Sequence, residues 1–167
     1  ENDGFLQSPI RPWAGWAFDK THYLLGLSMV RWTQSTWTGN QQTVTHLGAF
    51  RPAVQVRRYL KNRVTNAPQL YFMAGGYGVV PSAYTRSDTF TESEQVTFDE
   101  ASNEDKARIA GFGGELGAGV ELVFENGISV GVRTGLNLHR SFEVDEDTAT
   151  FSSWLTTESA FTLGFLF

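Results

Sequence analysis

The chain carries three histidines, His22, His46 and His139, and no cysteine. A hydrolase or acyltransferase built without thiol chemistry needs a hydroxyl nucleophile, a histidine base and a carboxylate that orients the base. His46 and His139 have serines and threonines close by in the chain, and Glu143 and Glu158 come within reach once the strands described below are paired. The chemistry this permits is ester hydrolysis or acyl transfer. Histidine, serine and glutamate at this density arise in any polar strand end, however, so structural hydrogen bonding is the expected role and the chain is not expected to be an enzyme. The lack of cysteine removes thiolate nucleophiles, thiolate metal sites and disulfide frameworks, and fits an oxidising compartment.

Carboxylates form the second group. Asp88, Glu92, Glu94, Asp99, Glu100, Glu104 and Asp105 fall between Arg86 and Lys106, and Glu143, Asp145, Glu146 and Asp147 form another cluster. Neither has the spacing of a twelve-residue calcium loop. Such runs are ordinarily solvated, and weak bridging through divalent cations is the chemistry left to them. No cofactor and no specific metal site is expected. The net charge of -5 and the lack of a basic stripe interleaved with aromatics argue against nucleic acid as a partner.

The elements that would position these residues are strands. At 167 residues the chain is one domain, 1–167. No stretch approaches the roughly 20 apolar residues of a membrane-spanning helix. Between Arg108 and Arg140, two alternating runs flank Glu125-Asn126-Gly127. Phe112, Leu116, Ala118, Val120, Leu122 and Phe124 share one parity with Ile128, Val130, Val132, Leu136 and Leu138. The other parity holds glycines, Glu115, Glu121, Arg133, Asn137 and His139. Pairing Phe124 with Ile128 across a three-residue loop keeps apolar opposite apolar, which predicts a left-handed Gly127.

The same alternation places Phe50, Val54, Val56 and Leu60 on one face of a strand and Arg51, Gln55, Arg57 and Tyr59 on the other. Pro52 lacks an amide donor, so a bulge or bend is expected there. Tyr23, Leu25, Leu27 and Met29 define another apolar face. The faces of Tyr71 to Tyr77 stay open, because both parities hold large apolar residues. Six strands are signalled, at about 21–37, 43–60, 68–86, 107–124, 128–142 and 150–167. Trp13–Phe18 is a candidate descending strand and Gly4–Ser8 a candidate short ascending one; alternatively, residues 87–100 extend neighbouring strands and a partner protein or second copy completes the wall. Burying charges is prohibitive unless they pair, so Arg51, Arg57 and Arg133 are expected to face Glu115, Glu121 and Glu158.

The chain closes on Thr162-Leu163-Gly164-Phe165-Leu166-Phe167. The pattern of polar Thr162, Gly164, apolar Phe165 and terminal aromatic Phe167 resembles the assembly signal that outer-membrane β-barrel proteins of Gram-negative bacteria present to their barrel-assembly machinery. With the Gly-rich hairpins and the asymmetry of the connections, the whole chain resembles the small eight-stranded barrels of the OmpA and OmpX kind. The resemblance implies an all-β transmembrane antiparallel up-and-down barrel, with eight strands and a lumen filled by side chains. It implies an outer-membrane location with periplasmic termini. Connections at 61–67 and 125–127 would then be periplasmic, and those at 38–42, 87–106 and 143–149 extracellular.

On that orientation His46 and His139 lie near the outer ends of inward faces. Arg58, Lys61 and Arg63 form a periplasmic basic rim, and Trp13, Trp16, Trp32, Trp37, Tyr59, Tyr84, Trp154 and Phe167 fall towards strand ends, as an aromatic girdle would. The function implied is a structural or surface protein whose acidic loops contact lipopolysaccharide, outer-membrane lipids or a partner protein. A rim lipid-modifying enzyme and a soluble lipocalin-like barrel with an inward apolar face are the rivals. The chain begins Glu1-Asn2-Asp3-Gly4 with no signal segment, so an exported protein would be represented here in its mature or recombinant form.

Overall fold

The computed structural model describes residues 10–18, 20–61, 65–90, 95–145 and 148–166. Eight strands and one short helix follow in the order β1 (Ile10–Phe18), β2 (Thr21–Thr38), β3 (Gln41–Tyr59), β4 (Pro68–Phe90), β5 (Gln95–Glu100), α1 (Asn103–Ile109), β6 (Gly111–Val123), β7 (Ile128–Asp145) and β8 (Thr148–Leu166). The candidate strand at Trp13–Phe18 is thus real and begins at Ile10, whereas Gly4–Ser8 lies outside the described residues.

The strands form a single sheet whose hydrogen bonds close into a ring. Following the pairing from β1 through β2, β3, β4, β6, β7 and β8 returns to β1. Among the described residues the ring therefore holds seven strands, and the eighth, β5, is a hairpin partner of the far end of β4, pairing Tyr84 with Glu100 and Thr89 with Gln95. An odd number of strands that run alternately up and down cannot close antiparallel throughout. The mismatch falls between β1 and β8, which pair in parallel from Ile10↔Phe161 to Gly15↔Leu166, while every other pairing is antiparallel. This corrects the expectation of an antiparallel closure between an even number of strands.

The hairpin turns follow local chemistry. Phe124 donates its amide to the Ile128 carbonyl at 2.8 Å, and Gly127 takes φ 82°, as the pairing of apolar faces requires. Of the region 107–110, expected as the start of a strand, 107–109 instead complete α1; alternation starts at Gly111. Of residues 87–100, expected first as a loop, 87–90 prolong β4 and 95–100 form β5. No bulge forms at Pro52, which pairs in register with Leu27 of β2. On its other side the ladder to β4 passes from Phe50↔Val80 to Ala53↔Tyr77 without a shift, so the proline withholds a donor and leaves the register intact. The irregularity lies instead where Leu47↔Thr85 gives way to Ala49↔Pro81, so that Gly48 of β3 faces the extra residues 82–84 of β4.

Alternation gives the ring two unlike surfaces. Leu25, Leu27, Met29, Val54, Leu70, Phe72, Leu116, Leu136, Leu155 and Phe161 are all exposed on the outer face. Arg11, Arg51, Gln55, Arg57, Glu115, Glu121, Arg133 and Asn137 are buried inside. The open question of residues 71–77 is settled by the glycines opposite: Tyr71 pairs with Gly119, Met73 with Gly117 and Tyr77 with Gly113. A Cβ on any of those glycines would collide with the facing side chain, so β6 supplies the space that the rings of β4 fill. Trp13, Trp32 and Tyr59, expected at a peripheral girdle, share the inward parity and are buried, while Trp16, Trp37 and Tyr84 are exposed on the outside. The side chain of Trp154 and the residue Phe167 lie outside what is described.

Candidate functional site

The interior holds one connected polar network. Glu115 on β6 is its centre, accepting from Arg11 Nη1 at 2.8 Å, Arg133 Nη2 at 3.1 Å, Gln55 Nε2 at 2.9 Å and, more loosely, Arg51 Nη2 at 3.4 Å. Glu158 on β8 accepts from Arg51 Nη1 at 3.0 Å and Asn137 Nδ2 at 2.6 Å, and it also contacts Arg11. Gln55 passes the connection towards the end where β8 finishes, because its Oε1 accepts from Arg57 Nε at 2.6 Å. There Arg57 Nη1 donates to Glu121 Oε1 at 2.8 Å, and Tyr59 donates to the same carboxylate. The guanidinium of Arg51 also lies 3.5 Å from the centroid of the Tyr77 ring, and that of Arg57 lies 4.7 Å from Tyr71.

The six charged residues picked out by parity, Arg51, Arg57, Glu115, Glu121, Arg133 and Glu158, thus all lie in this network. Arg11 was missed. Its signal was the inward parity it shares with Trp13 on β1, a strand too short and too broken by Pro12 for alternation to stand out. Beyond Arg51 the interior turns apolar: Val30, Trp32, Leu47, Ala49, Tyr77 and Val79 form a cluster with Ala101 and with Ile109 of α1. α1 packs against β7 and β4, beside the upper end of the short β6. Among the described residues, charged, polar and apolar side chains are buried along the interior from Tyr59 and Glu121 to Val30 and Ile109.

The histidines go to separate places. His22 is buried beside Tyr59, with ring centroids 4.3 Å apart. His139 is buried and stacks on Tyr77 at 5.9 Å. His46 corrects its expected inward placement, because it falls on the outer parity of β3: Nδ1 shares a hydrogen bond with Thr33 Oγ1 at 3.1 Å, and Nε2 is 3.5 Å from Asp88 Oδ2. A hydroxyl, an imidazole and a carboxylate therefore stand in a row, in an order that sequence reasoning did not pair. Glu158, proposed as a partner for a histidine, is committed to Arg11 and Arg51 instead.

Of the acidic residues assigned to loops, Asp88 is in β4 and buried, holding Arg86 Nε at 2.9 Å. Asp99 and Glu100 are exposed on β5. Glu92, Glu94, Glu146 and Asp147, and the side chains of Glu104, Asp105, Glu143 and Asp145, lie outside the described residues, as does Arg63. Arg58 and Lys61 are exposed at the end where β8 finishes. In the closing segment Thr162 and Gly164 point inward and Phe165 outward. No protein-family model, curated protein or solved structure matches this chain.

Proposed function

We propose that the chain is an integral outer-membrane β-barrel of a Gram-negative bacterium, a structural or surface protein with a plugged lumen. The observation that carries this reading is the inverted polarity of a closed sheet. A ring in water buries its apolar face, yet here the apolar side chains line the outside and a charged network lines the inside. Closure pairs the backbone groups of the wall, as a spanning sheet requires in lipid. Taking the end where β8 finishes as periplasmic puts Arg58 and Lys61 at the inner rim and the β4–β5 hairpin outside, where its acidic residues would meet lipopolysaccharide or a partner protein.

The buried charge network across the interior argues against an open pore, and the soluble lipocalin-like alternative is disfavoured by the outward apolar face. A lipid-modifying enzyme shares the wall and keeps one specific support, the row of Thr33, His46 and Asp88 on the outer surface. The test of the main reading is electrophoretic and hydrodynamic. The folded chain is expected to resist dodecyl sulfate until boiled and to need detergent for monodispersity. A chain that is monodisperse without detergent overturns the proposal.

A further inference from the structure

On the outer face of β2, β3 and β4, a groove of about 800 Å³ opens over Gly48. Gly48 pairs in register with Arg31 of β2 while the ladder to β4 shifts around it, and among the described residues a Cβ built on Gly48 would meet only the Cβ of Ser82, at 3.9 Å. The floor is therefore bare backbone. Arg31 of β2 stands on one side and Arg86 of β4 on the other, with His46 along β3 itself, and Met29, Tyr84 and Phe98 supply apolar walls. Among the described residues no carboxylate lines it. Asp88 lies behind them, held by Arg86 Nε and close to His46, and Glu100 shares the face beside Tyr84 without lining the groove. Among the described lining residues the formal charges are thus the two guanidinium groups, with Asp88, paired to Arg86, and Glu100 just outside them.

Its height on the wall matters as much as its charge. Below Arg31 the outer face of β2 is Tyr23, Leu25, Leu27 and Met29; below Gly48 that of β3 is Phe50, Val54 and Val56. The groove begins where this apolar band ends. We propose that it binds the phosphate-bearing headgroup of a lipid in the adjoining leaflet, with Arg31 and Arg86 holding the phosphate and Met29, Tyr84 and Phe98 contacting the first part of the acyl chain. The inference rests on the membrane reading above and gives it a ligand class.

The test embeds the full chain in phosphatidylcholine nanodiscs containing a minority of phosphatidic acid and reads retained lipid by native mass spectrometry. Wild type is expected to retain phosphatidic acid in preference to phosphatidylcholine. The pair Arg31→Gln and Arg86→Gln should lower that preference on the order of tenfold, the effect of losing two charge-assisted contacts. Gly48→Leu should lower it with charge unchanged, and Arg58→Gln at the opposite end should leave it intact. Heat-modifiable mobility of each variant shows that it is folded and inserted. An inserted wild type with no preference, or a folded double glutamine variant that keeps it, overturns the site while leaving the membrane reading standing. A chain that does not insert overturns both.

Discussion

Arg57 Nη1 donates to Glu121 Oε1 across 2.8 Å, and each of the two side chains is 1% exposed. Both charges are out of solvent, so neither can fall back on water if the other is removed. Glu121→Ala is expected to destabilise the fold by about 3–5 kcal/mol, whereas Arg57→Met together with Glu121→Leu should cost well under half of that, because no charge is left stranded. Equilibrium unfolding in urea, in detergent micelles, measures both. Equal losses for the single and double variants would show that packing at this site outweighs charge pairing.

The two carboxylates of the other cluster differ in how much depends on them. Glu115 takes donors from Arg11, Arg133, Gln55 and Arg51, with a side chain 0% exposed, while the Glu158 side chain is 9% exposed. Glu115→Gln should therefore destabilise by about 3 kcal/mol or more, and Glu158→Gln by about half as much, since the more open site admits water to the arginines it leaves. The same urea titration compares them. A larger loss at Glu158 would move the centre of the network from β6 to β8.

Packing of large against small across β4 and β6 makes the glycine face of β6 intolerant of growth. At Gly119 a Cβ collides with the ring of Tyr71, and the strand pairing leaves neither backbone free to move. Gly119→Val is expected to cost about 1–3 kcal/mol through overpacking. Adding Tyr71→Ala should recover part of the loss by vacating the space, a coupling that a double-mutant cycle reads directly. Strictly additive losses would mean that the two residues do not share the volume.

Alternation made much of this molecule legible, because a strand with lipid or solvent on one side and a filled interior on the other repeats every second residue. The β6–β7 hairpin, with Phe124 opposite Ile128 and a left-handed Gly127, could be read for that reason, as could the inward charges of β3. Residues 71–77 could not, since Tyr71, Phe72 and Met73 are all large and apolar; only the facing glycines of β6 decide which side is inside. The seven-membered ring was hidden for a different reason. Whether β4 runs on to Phe90 and 95–100 folds back on it as a hairpin, or joins the ring, is not marked by the polar composition of 87–100, and closure by a parallel β1–β8 pair leaves no mark in either strand. The expected inward placement of His46 did not follow the alternation of its own strand: His46 shares the parity of Phe50, Val54 and Val56, and Thr33↔His46↔Arg86 keeps that outer parity across three strands.

The identity of the solvent around the wall is the most discriminating question, and Leu116 is placed to answer it. This side chain is 64% exposed near the middle of β6, and its cross-strand partner Leu136 is 49% exposed. In a bilayer, an arginine at mid-depth must snorkel or draw water inward, so Leu116→Arg should destabilise the folded state in lipid by about 2–4 kcal/mol. Phe98→Arg, on β5 beyond the ring, should change it by no more than about 1 kcal/mol. If the wall faced water, the order would collapse: both positions are exposed, surface substitutions of this kind fall within about 0.5 kcal/mol, and Leu116→Arg would raise solubility by breaking an apolar patch. Urea titrations in phosphatidylcholine vesicles separate the cases, since only an apolar medium makes the cost depend on depth. A Leu116→Arg variant as stable as wild type in vesicles would remove the membrane from the account of this wall.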